Sequence, residues 1–207
     1  MTSTDDVERP GARRLVDACF DSLDAAAALL DVEPTLLFAR DGLGETALHY
    51  LAVENQLEAV KWLFARGATL DTVSNVQGSP LSEASSLGDE ELVAWLLDQG
   101  AAVDLPGQGE ATLIEAPRSG NAAIVARLLA AGADVAVVNG LGETAMHVAC
   151  AQDSDLAVVE TLLAAGAPID AHRIFDVTPL DVAIESGARR IAELLRARGA
   201  KANRQAG

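Results

Sequence analysis

Aromatic side chains are scarce: two Trp, one Tyr and four Phe in 207 residues. Any core must therefore be built from Ala, Leu and Val packed closely between small helices. Histidine is scarcer still, with three copies, so few side chains titrate near neutrality. Two cysteines, Cys19 and Cys150, exclude a disulfide scaffold, and no Cys or His cluster has zinc spacing. Gly107-Gln108-Gly109 lacks the strand-to-helix context and the Lys of a phosphate-binding loop. No Ser stands in a nucleophile-elbow sequence. No apolar run is long enough to cross a bilayer; Ala25 to Leu30 is typical of the longest. Met1 to Arg14 is polar and of mixed charge, with no apolar run behind it, so a cytoplasmic protein is expected. No metal, no cofactor and no catalytic constellation is expected, which argues against an enzyme.

What is abundant is negative charge. The formal net charge is −16, which repels phosphate backbones and disfavours nucleic acid as a partner. The excess is uneven. From Ala171 onward seven basic residues face four acidic ones. A soluble terminal unit with cations near helix C-termini accounts for that end. The acidic body should speed encounter with a basic protein, an effect that salt weakens. Arg outnumbers Lys 13 to 2 in an Ala-rich chain, which points to a GC-rich bacterial genome.

A Gly-Ala pair also recurs, at Gly67, Gly100, Gly132, Gly166 and Gly199, at intervals of 33, 32, 34 and 33 residues. A period in that range marks stacked supersecondary units, none able to bury its apolar face alone. Thr46, Ser79, Thr144 and Thr178 are N-caps, and Pro80 and Pro179 follow at the first helical position. Leu48, Leu81, Leu113, Met146 and Leu180 head the first helices; Gly88, Gly120 and Gly187 close three of them. Second helices carry Leu63-Phe64, Leu96-Leu97, Leu128-Leu129, Leu162-Leu163 and Leu194-Leu195. Cys19 and Cys150 share a slot filled elsewhere by Ala52 and Ser85, so buried, inert thiols too far apart to bridge are expected.

The third unit departs from the pattern. It lacks a cap at Ala111, has Ile114 at the His position, and carries Pro117 where its first helix should continue. That proline should break the helix early. The loop before it, Leu105 to Gly109, is one residue short, and the fourth unit has an insertion near Gln152 to Asp155. Either irregularity is drift or a notch shaped for one ligand.

Thr46-Ala47-Leu48-His49, Thr144-Ala145-Met146-His147 and Thr178-Pro179-Leu180 resemble the Thr-Pro-Leu-His motif of ankyrin repeats, and the Leu-Leu-x-x-Gly-Ala endings match the family's second helix. The resemblance implies an all-α repeat solenoid of helix pairs joined by hairpin-like fingers, with a concave groove used to hold another protein. It also implies structural roles for His49 and His147 beside the capping Thr. A single solenoid over 12–203 is expected: a degenerate opening unit, 12–40, and five full units, 41–203. A flexible segment, 1–11, and a tail, 204–207, flank it. A monomer is expected. By analogy with the family, such a module would regulate an enzyme or neutralise a toxin.

Two rows of side chains are candidates for partner contact. Leu43, Val76, Leu141 and Phe175 share one finger position, with Val73, Val138 and Ile174 near it and His172 and Arg173 on the last finger. Tyr50, Glu83, Glu115, Val148 and Val182 share one first-helix position and should face the groove. The alternative to a protein scaffold is an enzyme or small-molecule binder at the third unit, with Glu83 and Glu115 as a carboxylate pair beside Arg118.

Overall fold

The computed structural model describes residues 11–75, 78–106, 111–152 and 155–203. The expected N-terminal segment lies outside them except for Gly11, which begins a helix; the tail 204–207, Val76, most of the loop at 105–109 and the centre of the 152–155 insertion also lie outside. Twelve α-helices follow in the described residues. They are α1 Gly11–Asp21, α2 Leu23–Val32, α3 Ala47–Val53, α4 Leu57–Ala65, α5 Pro80–Leu87, α6 Glu90–Asp98, α7 Thr112–Glu115, α8 Ala122–Ala130, α9 Ala145–Ala151, α10 Leu156–Ala164, α11 Pro179–Glu185 and α12 Arg189–Ala197. The sole strand-like pairing among these residues is an isolated bridge between Arg173 and Val177.

The helices stack in sequence order. First helices form one row, α1 on α3, α3 on α5, α5 on α7, α7 on α9 and α9 on α11; in the second row α6 packs on α8, α8 on α10 and α10 on α12. This is an all-α repeat solenoid. Each helix is too short to persist alone in water, so its stability comes from the neighbour it buries. Leu48, Leu81, Leu113, Met146 and Leu180 form a buried ladder along the first row. Leu63, Leu96, Leu128, Leu162 and Leu195 form its counterpart along the second. Each such side chain contributes about 1.5–3 kcal/mol on burial. In α12 the buried residue is Leu195, so the expected Leu194-Leu195 pair is displaced by one; exposed Arg196 takes the outer place that Leu163 holds in α10.

Aromatics sit outside this ladder. Phe64 meets Trp95 of the next unit edge-on at 5.5 Å, and the Arg66 guanidinium lies 3.5 Å over Trp62. Both cysteines are free: Cys150 is buried, but Cys19 is only half-buried because nothing described stacks on the far side of α1. Burial pushes the thiols up, to about 12 for Cys150 and about 11 for Cys19, so neither is a thiolate at neutral pH.

Helix starts show how polar groups are satisfied in so small a core. Ser79 and Ser82 exchange two bonds, Ser82 N–H to Ser79 Oγ at 3.2 Å and Ser79 N–H to Ser82 Oγ at 2.8 Å. In the third unit the Ala111 methyl group cannot accept a hydrogen bond, and Asp104 substitutes by accepting from Thr112 N–H at 2.9 Å. Pro117 then ends α7 after one turn, and Ala116–Ser119 continue as a 3-10 turn closed by left-handed Gly120.

Candidate functional site

Fingers precede α3, α5, α9 and α11 on a shared frame. Each closes with one backbone bond: Asp41 N–H to Glu45 O, Ser74 N–H to Gly78 O, Asn139 N–H to Glu143 O and Arg173 N–H to Val177 O, at 2.9–3.0 Å. In three of them the opening side chain also bonds across the turn; Ser74 Oγ accepts from Gly78 N–H at 3.2 Å. Asp41 Oδ1 accepts from Leu43 and Glu45 N–H at 2.8 and 2.9 Å; Asn139 Oδ1 accepts from Leu141 and Glu143 N–H at 2.9 and 3.0 Å.

Neighbouring fingers are bonded to each other. Asn75 N–H donates to Leu43 O at 2.7 Å, and Ile174 N–H donates to Leu141 O at 2.9 Å. Arg40 reaches across to Val73 O at 2.8 Å, and Arg173 pairs with Glu143 at 2.5 Å. The approach is close enough to require glycine. A Cβ on Gly142 would sit 3.2 Å from Arg173 Cα, and Gly142 has φ 77°. The last finger has Asp176 at that place with φ 59°, preceded by Phe175 at φ 62°. Left-handed backbone at a bulky residue is strained and persists only where its surroundings hold it. Here Asp176 is tied to His172 at 2.8 Å and to Asn203 Nδ2 at 3.1 Å.

Below the fingers the buried histidines act as caps. Thr144 N–H donates to His147 Nδ1 at 3.2 Å, which leaves the ring proton on Nε2, 3.2 Å from Val177 O. His49 receives Thr46 N–H in the same way at 3.1 Å, but its Nε2 makes no hydrogen bond of ordinary geometry among the described residues, although the backbone of Thr72 and Gly78 lies near enough to favour its protonation. Burial holds both rings below the ordinary histidine range, so both are neutral. Asp181 takes the histidine's place in the last unit. It accepts from Thr178 N–H at 2.9 Å and from Asn203 N–H at 3.1 Å.

Along the first helices the groove changes character. Tyr50 donates to Asp41 Oδ2 in a short hydrogen bond and carries the Arg13 guanidinium 4.5 Å over its ring. Burial, then the bonds to Asp41 and Glu45, push the Tyr50 phenol up to about 12. Burial works against ionisation of Asp41, yet the bonds from Tyr50, Glu45 and Leu43 and the Arg13 charge hold it below the usual carboxylate range. Glu115 is paired with Arg118 at 2.7 Å. Burial pushes the Glu83 carboxyl up, and the charges of Glu45 and Glu115 add to that.

The chain matches the family profile "Ankyrin repeats (3 copies)" over residues 15–106 and 113–206. It belongs to the ankyrin-repeat family. Over 182 residues it is 30% identical to the nuclear factor NF-kappa-B p105 subunit of Gallus gallus, covering 83% of this chain and 18% of that protein. It is 35% identical to neurogenic locus notch homolog protein 1 of Homo sapiens over 147 residues, 69% of this chain and 6% of that one. The B-cell lymphoma 3 protein homolog of Mus musculus is 32% identical over 171 residues, 79% and 37% respectively. The ankyrin-repeat chain thus spans a minor part of these relatives. No described helix is long and apolar enough to cross a membrane.

Against the sequence reading, this ankyrin-repeat structure distributes the candidate residues unevenly. Leu43, Leu141 and Phe175 stand at finger tips, 49%, 48% and 82% exposed. Val138 and Ile174 are exposed beside them. Val148 and Val182 do not face the groove as expected; both are buried by their neighbours. His172 is not free: its Nδ1 lies 2.8 Å from Asp176 Oδ1 and 3.1 Å from Asn203 Nδ2, and bonds one or the other according to its tautomer. Arg173 is spent on Glu143. Cavities of about 150, 450 and 500 Å³ lie beside Leu37, Ile184 and Phe64; none of the three is lined by Glu83, Glu115 or Arg118. The roles of Asp104, Arg13 and Asn203 were missed from sequence. Asp181 alone left a local signal, the Thr-x-x-Asp spacing of a reciprocal cap.

Proposed function

We propose that this ankyrin-repeat chain is a protein-interaction scaffold that holds a basic protein partner along its finger tips and the open faces of its first helices. One observation carries this reading: the same finger position presents an exposed apolar side chain in separate units, on fingers bonded backbone to backbone. Solvent gains nothing from such a row, and a partner surface does. Because the fingers are fixed, little ordering entropy is lost on association. The net charge of −16 supports a basic partner. Two unpaired thiols suit a reducing cytoplasm. Occupying a partner's surface is how such a module would regulate an enzyme or neutralise a toxin.

Affinity capture from lysate, with wild type and a Leu141→Ser/Phe175→Ser variant, tests the reading. Proteins retained by the wild type should be lost by the variant and released by high salt. If both forms retain the same proteins, or neither retains any, the finger row is not the binding surface.

A further inference from the structure

Apart from Leu43 on the first finger, the exposed apolar side chains of the fingers and the unneutralised Glu83 carboxylate occupy different parts of the binding face. Val138, Leu141, Ile174 and Phe175, between 45% and 82% exposed, all belong to the last two fingers. The first-helix position beneath those fingers is filled by buried Val148 and Val182. Two units earlier the same position carries Glu83 and Glu115. Glu115 is answered by Arg118, whereas the half-buried Glu83 carboxylate has no hydrogen bond or ion pair among the described residues. It lies against Gly78, where a Cβ would come within 2.3 Å of its Oε1. A cation placed there would relieve a charge that the protein itself leaves standing.

Phe175 is the other pole. It is the most exposed large apolar side chain described, on a finger whose backbone is bonded to Leu141 and whose turn is tied by His172 and Asn203. A rigid aromatic beside two aliphatic residues is the composition of an interface anchor. Glu83 and Phe175 are three units apart. At about 8–10 Å per packed helix the separation is about 25–30 Å, which an extended chain covers in about eight or nine residues.

Building on the scaffold reading, we propose that the partner presents an extended segment with an apolar side chain at one end and a cation at the other. The apolar end sits on the Leu141–Ile174–Phe175 finger tips and the cation beside Glu83. The net charge selects a basic segment over an acidic one and over a second copy of this equally acidic chain.

Selection from a displayed library of random 12-residue peptides against the whole chain tests this directly. Enriched peptides should carry Lys or Arg about eight or nine positions from a bulky apolar residue, in one fixed order. Their affinity, read by fluorescence anisotropy, should fall roughly tenfold in Glu83→Gln with a shallower salt dependence. It should fall roughly tenfold in Leu141→Ser/Phe175→Ser, and roughly a hundredfold when the changes are combined, since distant sites add. All these substitutions are at the surface or half-buried, and thermal unfolding of each variant serves as the check that it folds. Loss in the finger variant with no effect of Glu83→Gln overturns the two-ended segment and leaves the scaffold reading standing. Peptides indifferent to every variant overturn both. Absence of enrichment, enrichment of acidic peptides, or dimerisation in sedimentation that the finger variant abolishes each overturns the proposal.

Discussion

The third and fourth units begin the same short helix with different parts. In the fourth, Thr144 and His147 form a closed set of bonds that ends on Val177 of the following finger, and α9 runs seven residues. In the third, the cap comes from Asp104 in the preceding loop, Ile114 fills the histidine's space, and α7 runs four residues before Pro117. Both units nonetheless stack in line. The ladder of buried leucines fixes position, and the cap fixes how firmly one unit is tied to the next. The third unit has exchanged a bond to its successor for a bond to its own approach loop.

The largest test of that difference is His147→Ala. It removes the buried bonds to Thr144 and Val177, strands Thr144 N–H, leaves Val177 O with only its bond from Arg173 N–H, and opens a cavity, so a loss of about 3 kcal/mol is expected in urea unfolding. His49→Ala should cost about 1 kcal/mol less, because the His49 Nε2 makes no hydrogen bond of ordinary geometry among the described residues. Equal losses would mean that the bond to Val177 contributes little. Both rings also set a pH dependence. Their folded pKa lies below the ordinary 6.5, so protons bind the unfolded chain first. Stability should be flat above pH 6.5 and fall as pH drops below it, and more shallowly in His147→Ala.

Next in size is Asp104→Ala. With Ala111 offering no replacement, Thr112 N–H loses its acceptor, at a cost of about 1–2 kcal/mol. No measurable loss would show that the approach loop is not the third unit's cap. Pro117→Ala should change stability by less than about 1 kcal/mol, since the restored helical bond is offset by the lost ring contacts of a buried proline. Its readout is far-UV circular dichroism, where α7 should lengthen toward the seven residues of α9. Unchanged helicity would assign the break to packing rather than to the proline.

The frame was legible because it repeats. Spacing of Gly, capping Thr and buried Leu is a local pattern, and five copies average out drift. Pro117 was legible for the same reason: one residue type has one backbone consequence. What sequence hid were contacts between units. Arg173 and Glu143 are 30 residues apart and His172 and Asn203 are 31, so no short window pairs them. Exposure was hidden too. Val148 and Glu83 hold equivalent positions, yet one is covered and the other left half-open by what the neighbouring fingers carry.

That last contrast sets the smallest and most selective test. Glu83 ionises with difficulty in the folded chain because of burial and the charges of Glu45 and Glu115. Its folded pKa exceeds the ordinary 4.5, so the folded state holds the proton that the unfolded state releases as pH rises. Glu83 is therefore harmless at pH 4 and destabilising at pH 7. Glu83→Gln should raise stability at pH 7 by about 0.5 kcal/mol, allowing for solvent screening of a half-exposed group, and leave pH 4 nearly unchanged. A gain at both pH values would be a packing effect, and a loss at pH 7 would mean the carboxylate is already neutralised within the chain. A gain confined to pH 7, beside weaker binding of basic peptides, would identify Glu83 as a charge kept for a partner at the fold's expense.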